Sequence, residues 1–288
     1  MTCVGNIGIE RLLWLLTATN RDDTTMAEYD QATMPIPYLR QLTGRERSQR
    51  ANMHLACFLS FIAGAINAGG FLAVGQYTSH MSGIISSMSD NLALGSLGFL
   101  LSGLASLLFF TFGAACCAIF INWSRKRDLH GEYAIPLMLE AALLLLFGLL
   151  GSNLENHQWL LVPFTVLLLC FIMGLQNAII TKISKAEIRT THMTGMVTDI
   201  GIELGKLLYW NSSRHDQKLS VHADLNKLRL LGTLVFLFFC GGFVGALGFK
   251  KVGFISTVPL AATLIVLAMV PIADDVWRMV RSFLREPK

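Results

Sequence analysis

Charged residues are scarce in this chain of 288 residues, and they leave long gaps. They make up 15% of the sequence, whereas a soluble domain usually carries about 25%. Lysine and arginine are missing from four long apolar stretches, which are residues 51–124, 128–181, 230–249 and 252–277. Gaps of this length exclude an ordinary soluble enzyme, and the lack of a clustered basic face excludes a nucleic-acid-binding protein. The remaining class is an all-α polytopic membrane protein.

Motifs of enzyme, cofactor and metal sites are missing as well. The sequence contains no H-E-x-x-H, G-x-S-x-G, G-x-G-x-x-G or phosphate-binding G-x-x-x-x-G-K. Five of the six cysteines lie in apolar runs and none forms a C-x-x-C pair, which is typical of small packing residues. We therefore expect a protein that is not an enzyme and that holds no cofactor and no metal.

Six segments have the length and composition of transmembrane helices. About 20 apolar residues cross a bilayer as a helix, because backbone groups in lipid must bond internally. The expected spans are residues 54–76, 96–122, 133–152, 159–181, 230–249 and 252–273. Basic residues collect on the cytosolic side of membrane proteins. With both chain ends in the cytosol, the cytosolic segments from Arg40 onward hold four, three, eight and four basic residues, against Lys250 and Lys251 outside.

The spans divide the chain into four parts. The first 50 residues carry six basic and six acidic side chains and contain no span. We expect residues 1–33 to be poorly ordered, or to precede a later translation start at Met26 or Met34. A short interfacial helix around Trp14 is the alternative. The predicted parts are an N-terminal segment 1–50, a first membrane repeat 51–152, a second repeat 153–273 and a cytosolic tail 274–288.

Two sequence motifs each occur twice, in the same order. Residues 64–68 (GAINA) are followed by residues 78–83 (TSHMSG), and residues 174–178 (GLQNA) are followed by residues 190–195 (TTHMTG). Each copy would contain three spans, and an odd number of spans inverts the second copy in the membrane. Inverted repeats are typical of secondary transporters, whose substrate sites lie at the repeat interface and often on broken helices.

The second motif of each copy precedes a helical stretch that is too short or too polar to cross the membrane. We expect residues 82–94 and 194–209 to form half-helices that re-enter the bilayer. Ser82 and Thr194 are expected N-caps. The glycines that follow them allow a close approach of the backbone, and they are Gly83 and Gly195.

A helix N-terminus carries unpaired N–H groups and partial positive charge, which suit an anion. The hydroxyl groups of Thr190 and Thr191 add donors, or oxygen ligands for a cation. Arg189 favours an anion in the second copy, whereas the first copy has the uncharged Tyr77 at that place.

His80 and His192 are the titratable pair of the two motifs. Imidazole changes charge near neutral pH, so the pair could relay protons or sense pH. A structural alternative is that each histidine ties its half-helix to a neighbouring carbonyl group. A third alternative is a soft-metal site for an ion such as Cu(I), formed with the methionine that follows each histidine.

Four polar side chains lie inside the expected spans. Asn67 and Asn177 occupy matching places, where they could bond across helices or line a polar site, and Gln176 makes the second copy more polar. Glu140 is the only carboxylate well inside a span, and such acids mark a proton or cation site unless a buried hydrogen bond satisfies them.

Two further patterns concern helix contacts. Asp199 and Glu203 share a helix face that we expect to be a salt-bridge surface, with Lys206 paired to Glu203. Glycines four residues apart are expected to be helix-packing contacts at two places, Gly201 with Gly205 and Gly241 with Gly245.

The run Arg189–Asp199, together with Gly174–Ala178, resembles the YoaK-like family of bacterial inner-membrane proteins. The resemblance covers about residues 50–273. The first copy departs from the family's Asp, Thr and Asn at three positions, which are Asn67, Ser82 and Ile84. The resemblance implies a bacterial multi-span membrane protein with no assigned chemistry.

These observations lead to a hypothesis of function. The chain is interpreted as a small-solute transporter or channel-like permease, for a small anion or weak acid with proton coupling. Its expected partners are the lipid bilayer and a small molecule or ion. A membrane scaffold or assembly protein that transports nothing is the alternative, and a membrane-embedded enzyme is a third class.

Overall fold

Every regular element that the structure describes is helical. This computed structural model describes residues 35–44, 47–152, 158–183, 193–209 and 222–285. The elements are α1 (Pro35–Thr43), α2 (Gln49–Val74), α3 (Met81–Ala93), α4 (Leu97–Lys126), α5 (Ala134–Gly151), α6 (Gln158–Ile183), α7 (Met193–Leu208), α8 (Leu225–Val252), a 3-10 turn (Gly253–Ser256) and α9 (Thr257–Arg285). The all-α prediction is confirmed in these ranges. Residues 39–288 group into one compact unit.

Five helical stretches are long and apolar enough to cross a membrane, which indicates a membrane-spanning protein. They are Gln49–Val74, Leu97–Lys126, Ala134–Gly151, Leu161–Ile183 and Leu225–Arg281. The first four correspond to the first four expected spans. The fifth has 57 residues and contains the last two expected spans, so six separate crossings stay a prediction. A straight helix of that length would measure about 85 Å, and the turn at Gly253, with φ of +67°, interrupts it.

Two pairs of long helices run parallel to each other. α2 packs against α8, and α4 packs against α6. The Ser60 hydroxyl of α2 donates to the Leu234 carbonyl of α8 at 2.8 Å, and further along both helices Gly69 faces the Phe249 ring. Because the residue numbers rise together, α2 and α8 point in the same direction.

Glycines let the backbones of these pairs touch. A Cβ atom on any of four glycines would collide with a backbone carbonyl of the opposite helix, and the glycine–carbonyl pairs are Gly64 with Phe238, Gly241 with Phe61, Gly174 with Phe110 and Gly113 with Phe171. Close backbone approach at small residues is how helices associate in lipid. The predicted packing role is confirmed for Gly241 and Gly245, which would meet Phe61 and Ala65.

The packing prediction for Gly201 and Gly205 is wrong. A Cβ atom on either residue would meet no heavy atom of the described ranges within 4 Å, because this face of α7 points away from α8. The opposite face of α7 makes the contacts with α8. Lys227 of α8 pairs with Asp199 at 3.2 Å, and the predicted pair of Lys206 with Glu203 is confirmed at 2.9 Å.

Two other helix pairs run antiparallel. The Gln176 amide of α6 donates to the Leu59 carbonyl of α2 at 3.3 Å, whereas Leu169, a turn or two earlier on α6, lies against Gly70. The helices α5 and α9 also run antiparallel. Gly131, just before α5, lies near Asp275, and the far end of α5 meets the start of α9 at Thr257 and Phe254.

The two short helices lie on the outside of the long pairs. α3 packs on α4, where Met88 fills the space beside Gly103, and α7 packs on α8. None of the α3 residues is fully buried. These positions agree with the half-helices expected at residues 82–94 and 194–209.

Candidate functional site

A groove of about 330 Å³ lies where the end of α2, the start of α3 and the first turns of α4 meet. Its walls include the aromatic rings of Phe71 and Tyr77, which stack at 4.6 Å between centroids, and the hydroxyl groups of Ser102 and Ser106. None of its lining residues is a lysine, arginine, aspartate or glutamate. The volume lies at the small end of the range for ligand pockets, about 300–1,000 Å³.

His80 lies in the groove wall beside the N-terminus of α3. The helix begins at Met81, and the His80 side chain makes no capping hydrogen bond. Its Nε2 atom lies 3.1 Å from the Ser82 hydroxyl, so the ring folds back over the first turn. A Cβ atom on Gly83 would lie only 2.6 Å from His80 Nδ1, so the expected close approach at this glycine is made by the imidazole ring.

The predicted N-cap roles of Ser82 and Thr194 are wrong. Ser82 lies in the first turn of α3, because the helix begins one residue before it, and its hydroxyl bonds the His80 ring instead of a backbone N–H group. α7 begins at Met193, so Thr194 is also inside its helix. The Thr194 carbonyl accepts from the Thr198 hydroxyl at 2.8 Å.

Asn67 connects α2 to the loop that carries the first motif. Its Oδ1 atom accepts a hydrogen bond from the Ser79 hydroxyl at 2.8 Å. The neighbouring Thr78 is buried, and its hydroxyl has no hydrogen-bond partner. α2 ends at Gly75 in the left-handed conformation, with φ of +73°, which turns the chain back toward the asparagine. The asparagine therefore positions the loop beside the groove.

Glu140 and Gln176 lie inside the helix bundle, away from the groove-lining residues. Both side chains are fully buried. The Gln176 amide nitrogen bonds the Leu59 carbonyl, but its Oε1 atom has no partner. In the described part of the chain, neither carboxyl oxygen of Glu140 has a hydrogen-bond partner. A buried polar atom without a partner is costly, so these atoms stand out in an apolar interior.

Glu140 lies near the middle of α5, which makes its largest contact with α9. The two ends of that contact are marked by Gly131 beside Asp275 and by Gly148 beside Thr257, and Glu140 is halfway between the two glycines. Cys117 of α4 is the titratable group that interacts with it electrostatically. Thr263, which follows Pro259 as Glu140 follows Pro136, is half-buried, and its hydroxyl donates to the Pro259 carbonyl of its own helix at 2.9 Å.

The second motif is described only in part. Asn177 is half-buried beside Gln176, and Gly195 is half-buried in the first turn of α7. Arg189, Thr190, Thr191 and His192 lie outside the described residues. The structure thus brings His80, Ser82 and Gly83 together at the groove, with Asn67 behind them. It places Glu140 and Gln176 elsewhere.

Sequence reasoning missed the serines of α4 and a cluster at the end opposite to the groove. Ser102 and Ser106 are four residues apart in an otherwise apolar helix, and that spacing was the available signal.

In the cluster at the opposite end, the Arg47 guanidinium lies 4.7 Å from the Tyr133 ring centroid, and burial lowers the pKa of Arg47 to about 10. Nothing in the sequence distinguishes this arginine from its neighbours.

No group of three or more His, Cys, Asp or Glu side chains that could hold a metal ion occurs in the described ranges.

Comparison with known proteins gives a family and no assigned activity. No curated protein and no solved structure matches the chain. Residues 55–270 match the family model described as a protein of unknown function, DUF1275. That match covers most of the chain, from within the first apolar stretch to Val270 in the last one, and the chain belongs to the DUF1275 family.

Proposed function

We propose that the protein is a small-solute transporter of the bacterial inner membrane, built from two inverted units, α2–α5 and α6–α9. The observation that carries the proposal is the direction of the helices. α2 and α6 hold the matching GAINA and GLQNA motifs and run antiparallel, while each runs parallel to a helix of the other unit. A two-fold axis in the membrane plane produces this arrangement, which is common among secondary transporters.

The glycine contacts support the same symmetry. Gly64 and Gly174 are 110 residues apart, as are Phe61 and Phe171. Each of these glycines meets a phenylalanine carbonyl of the parallel partner helix, and each of these phenylalanine carbonyls faces a glycine there. In this proposal α8 and α9 cross the membrane separately, which gives six crossings and leaves both chain ends in the cytosol.

The groove suggests a weak acid that binds in its uncharged form. Its aromatic and hydroxyl walls offer apolar contact and hydrogen bonds, and its lining has no fixed charge. An anion would lose hydration there with only the α3 N-terminus and His80 to replace it. A solute that carries its own proton avoids that cost, and a proton-coupled transporter would move it in that form.

A scaffold protein is the second candidate. The backbone-to-backbone packing at the four glycines favours it, because such contacts resist the helix movements of a transport cycle. A flux measurement separates the two candidates. A scaffold would produce no saturable flux although it is folded.

The test begins with binding. Acetate, lactate and benzoate are screened for their effect on the melting temperature of the purified protein, because a ligand that binds the folded state raises it. Counterflow of the stabilising acid is then measured in liposomes. Ser102→Phe fills the groove, and Leu108→Phe adds the same ring to the exposed face of α4. We expect stabilisation and flux in the wild type and in Leu108→Phe, and loss of both in Ser102→Phe. Equal flux in Ser102→Phe and the wild type contradicts the groove as the binding site.

A further inference from the structure

We propose that the carboxyl group of Glu140, buried near the middle of α5, is the proton-binding site of this protein. The site itself stands on the burial and contacts of Glu140. Its role in coupling rests on the proposed transport function.

Burial and missing partners carry the proposal. Glu140 is fully buried, and neither of its oxygens has a hydrogen-bond partner among the residues that the structure describes. A carboxylate in that position would need a cation or several donors, whereas a carboxylic acid is uncharged and far less costly to bury. The closed arrangement of α5 and α9 therefore suits the protonated acid.

The surroundings favour a proton over a metal ion or a permanent salt bridge. Hard cations take about six to eight oxygen ligands. Glu140 belongs to no group of three or more His, Cys, Asp or Glu side chains among the described residues. On α9, the sequence from Thr257 to Ala273 has no titratable side chain. On α6, Cys170 and the terminal Lys182 are the titratable groups. On α4 they are Cys116, Cys117 and the terminal Arg125 and Lys126, and Cys117 interacts electrostatically with Glu140.

The position explains how a proton could be exchanged. Glu140 lies near the middle of α5, and the antiparallel helices α5 and α9 occupy matching places in the two proposed units. If the units move against each other, water reaches Glu140 from one side or the other. The carboxylate takes a proton from water on one side, forming the O–H bond, and returns the proton to water on the other side. Thr263 stands at the matching position of the other unit, so one proton is exchanged per cycle.

Infrared spectroscopy tests the site without relying on transport. The full-length protein is labelled with carboxyl-13C glutamate in lipid nanodiscs at neutral pH, and the C=O stretch of protonated glutamate is recorded. We expect this band in the wild type and in Glu132→Gln, whose target residue is paired with Arg125 at 2.8 Å. We expect its loss in Glu140→Gln. A wild type without the band overturns the proposal, whether or not the variant folds.

Two further outcomes of the infrared experiment would overturn the proposal. A band that persists in Glu140→Gln assigns it to another residue and overturns the proposal. A wild-type band that disappears when sodium replaces choline in the buffer shows a cation site, which overturns it too. Glu140→Asp keeps a carboxyl group and is expected to retain a shifted, unlabelled band.

A flux measurement then tests the coupling. In liposomes with a potential that is negative inside and no pH gradient, an uncharged acid that moves together with the Glu140 proton accumulates, and Glu140→Gln is expected to retain exchange of the solute but to lose this accumulation at least tenfold. Equal accumulation in the variant and the wild type overturns the coupling role. If the infrared band is assigned to Glu140 and the wild type shows no flux of any solute, the proton site stands and the proposed transport function fails.

Discussion

Buried polar side chains in this protein fall into two groups that differ in hydrogen bonding. Thr43 and Ser60 each donate at 2.8 Å to a backbone carbonyl of a distant helix, at Leu267 and Leu234. Such bonds satisfy both partners and fix the helices in register. Glu140 leaves its oxygens unpaired, and an unpaired polar atom in an apolar interior destabilises the closed state. The hydroxyl groups of the first kind therefore stabilise the packing of the helices. Glu140 is the position at which we propose that a proton is exchanged.

Arg47 and Arg125 form a matched pair for testing this distinction. Burial lowers the pKa of Arg47 to about 10, and its two terminal nitrogens have no hydrogen-bond partner. Arg125 instead bonds Glu132 and the Tyr133 hydroxyl, each at 2.8 Å. Removing the buried Arg47 charge relieves its desolvation, although it also removes the bond from Nε to Asn52 at 2.8 Å. The Arg125 side chain is half-exposed, so the loss of its two bonds is expected to cost about 1 kcal/mol.

We therefore expect Arg47→Met to raise the melting temperature in detergent and Arg125→Met to lower it. Thermal unfolding of the two variants beside the wild type measures the difference. If the melting temperature fell by the same amount in both variants, the contacts of Arg47 would offset the cost of burying its charge.

At the scale of elements, the parallel helix pairs depend on glycine. A Cβ atom on Gly174 would collide with the Phe110 carbonyl, and overpacking of this kind costs about 1–3 kcal/mol. Gly201 lies in a helix with open space around it. We expect Gly174→Ala to lower the melting temperature and Gly201→Ala to leave it unchanged or raise it slightly, since alanine is the better helix former. Similar melting temperatures for both variants would mean that α4 and α6 separate at no cost.

The attachment of α7 to α8 predicts a pH dependence. The Glu203 carboxylate accepts from the Lys206 ammonium at 2.9 Å and from the backbone N–H of Asp224 at 2.8 Å, and these bonds hold its pKa below the ordinary 4.5. A carboxyl group with a lowered pKa in the folded state stabilises that state above pH 4.5. Its contribution disappears as the pH falls from 4.5 through the lower, folded value.

We expect Glu203→Gln to increase hydrogen exchange of the 193–209 peptides at neutral pH. After correction for intrinsic exchange rates, acidification should bring the wild type to the same level and leave the variant unchanged. Asp199→Asn is the control, because its pair with Lys227 is exposed and such pairs contribute little. A wild type whose α7 stays protected through acidification would contradict the role of Glu203.

The sequence was sufficient for the elements and insufficient for their contacts. Apolar runs predict helices at α2, α4, α5 and α6 within a few residues, because lipid leaves the backbone no other choice. The groove depends on how α3 crosses α4 at Gly103, which is a tertiary contact with no local signal. The start of α3 was misjudged for a related reason. His80 packs over Gly83, and this contact takes Ser82 away from the capping position that its residue type favours.

At the scale of the whole molecule, the antiparallel direction of α2 and α6 connects the repeat, the groove and Glu140. If α2 and α6 are equivalent and antiparallel, the groove beside α3 opens to one side of the membrane, and its counterpart beside α7 opens to the other. In the proposal, water then reaches Glu140 from each opening in turn. A parallel repeat would place both openings on one side and leave the carboxyl group without a transport role.

Cysteine labelling tests that relation directly. The six native cysteines are replaced, and single cysteines are introduced at four exposed positions, Leu94, Leu208, Ile255 and Arg281. In right-side-out vesicles, a membrane-impermeant thiol reagent should label the cysteines at 94 and 255 and leave those at 208 and 281 unlabelled until the membrane is opened. Labelling of 94 and 208 from the same side would remove the inversion and, with it, the support for transport. Labelling of 255 and 281 from the same side would show that Leu225–Arg281 does not cross the membrane twice. Because the inversion requires an odd number of crossings in each unit, the second result alone would be enough to reject it.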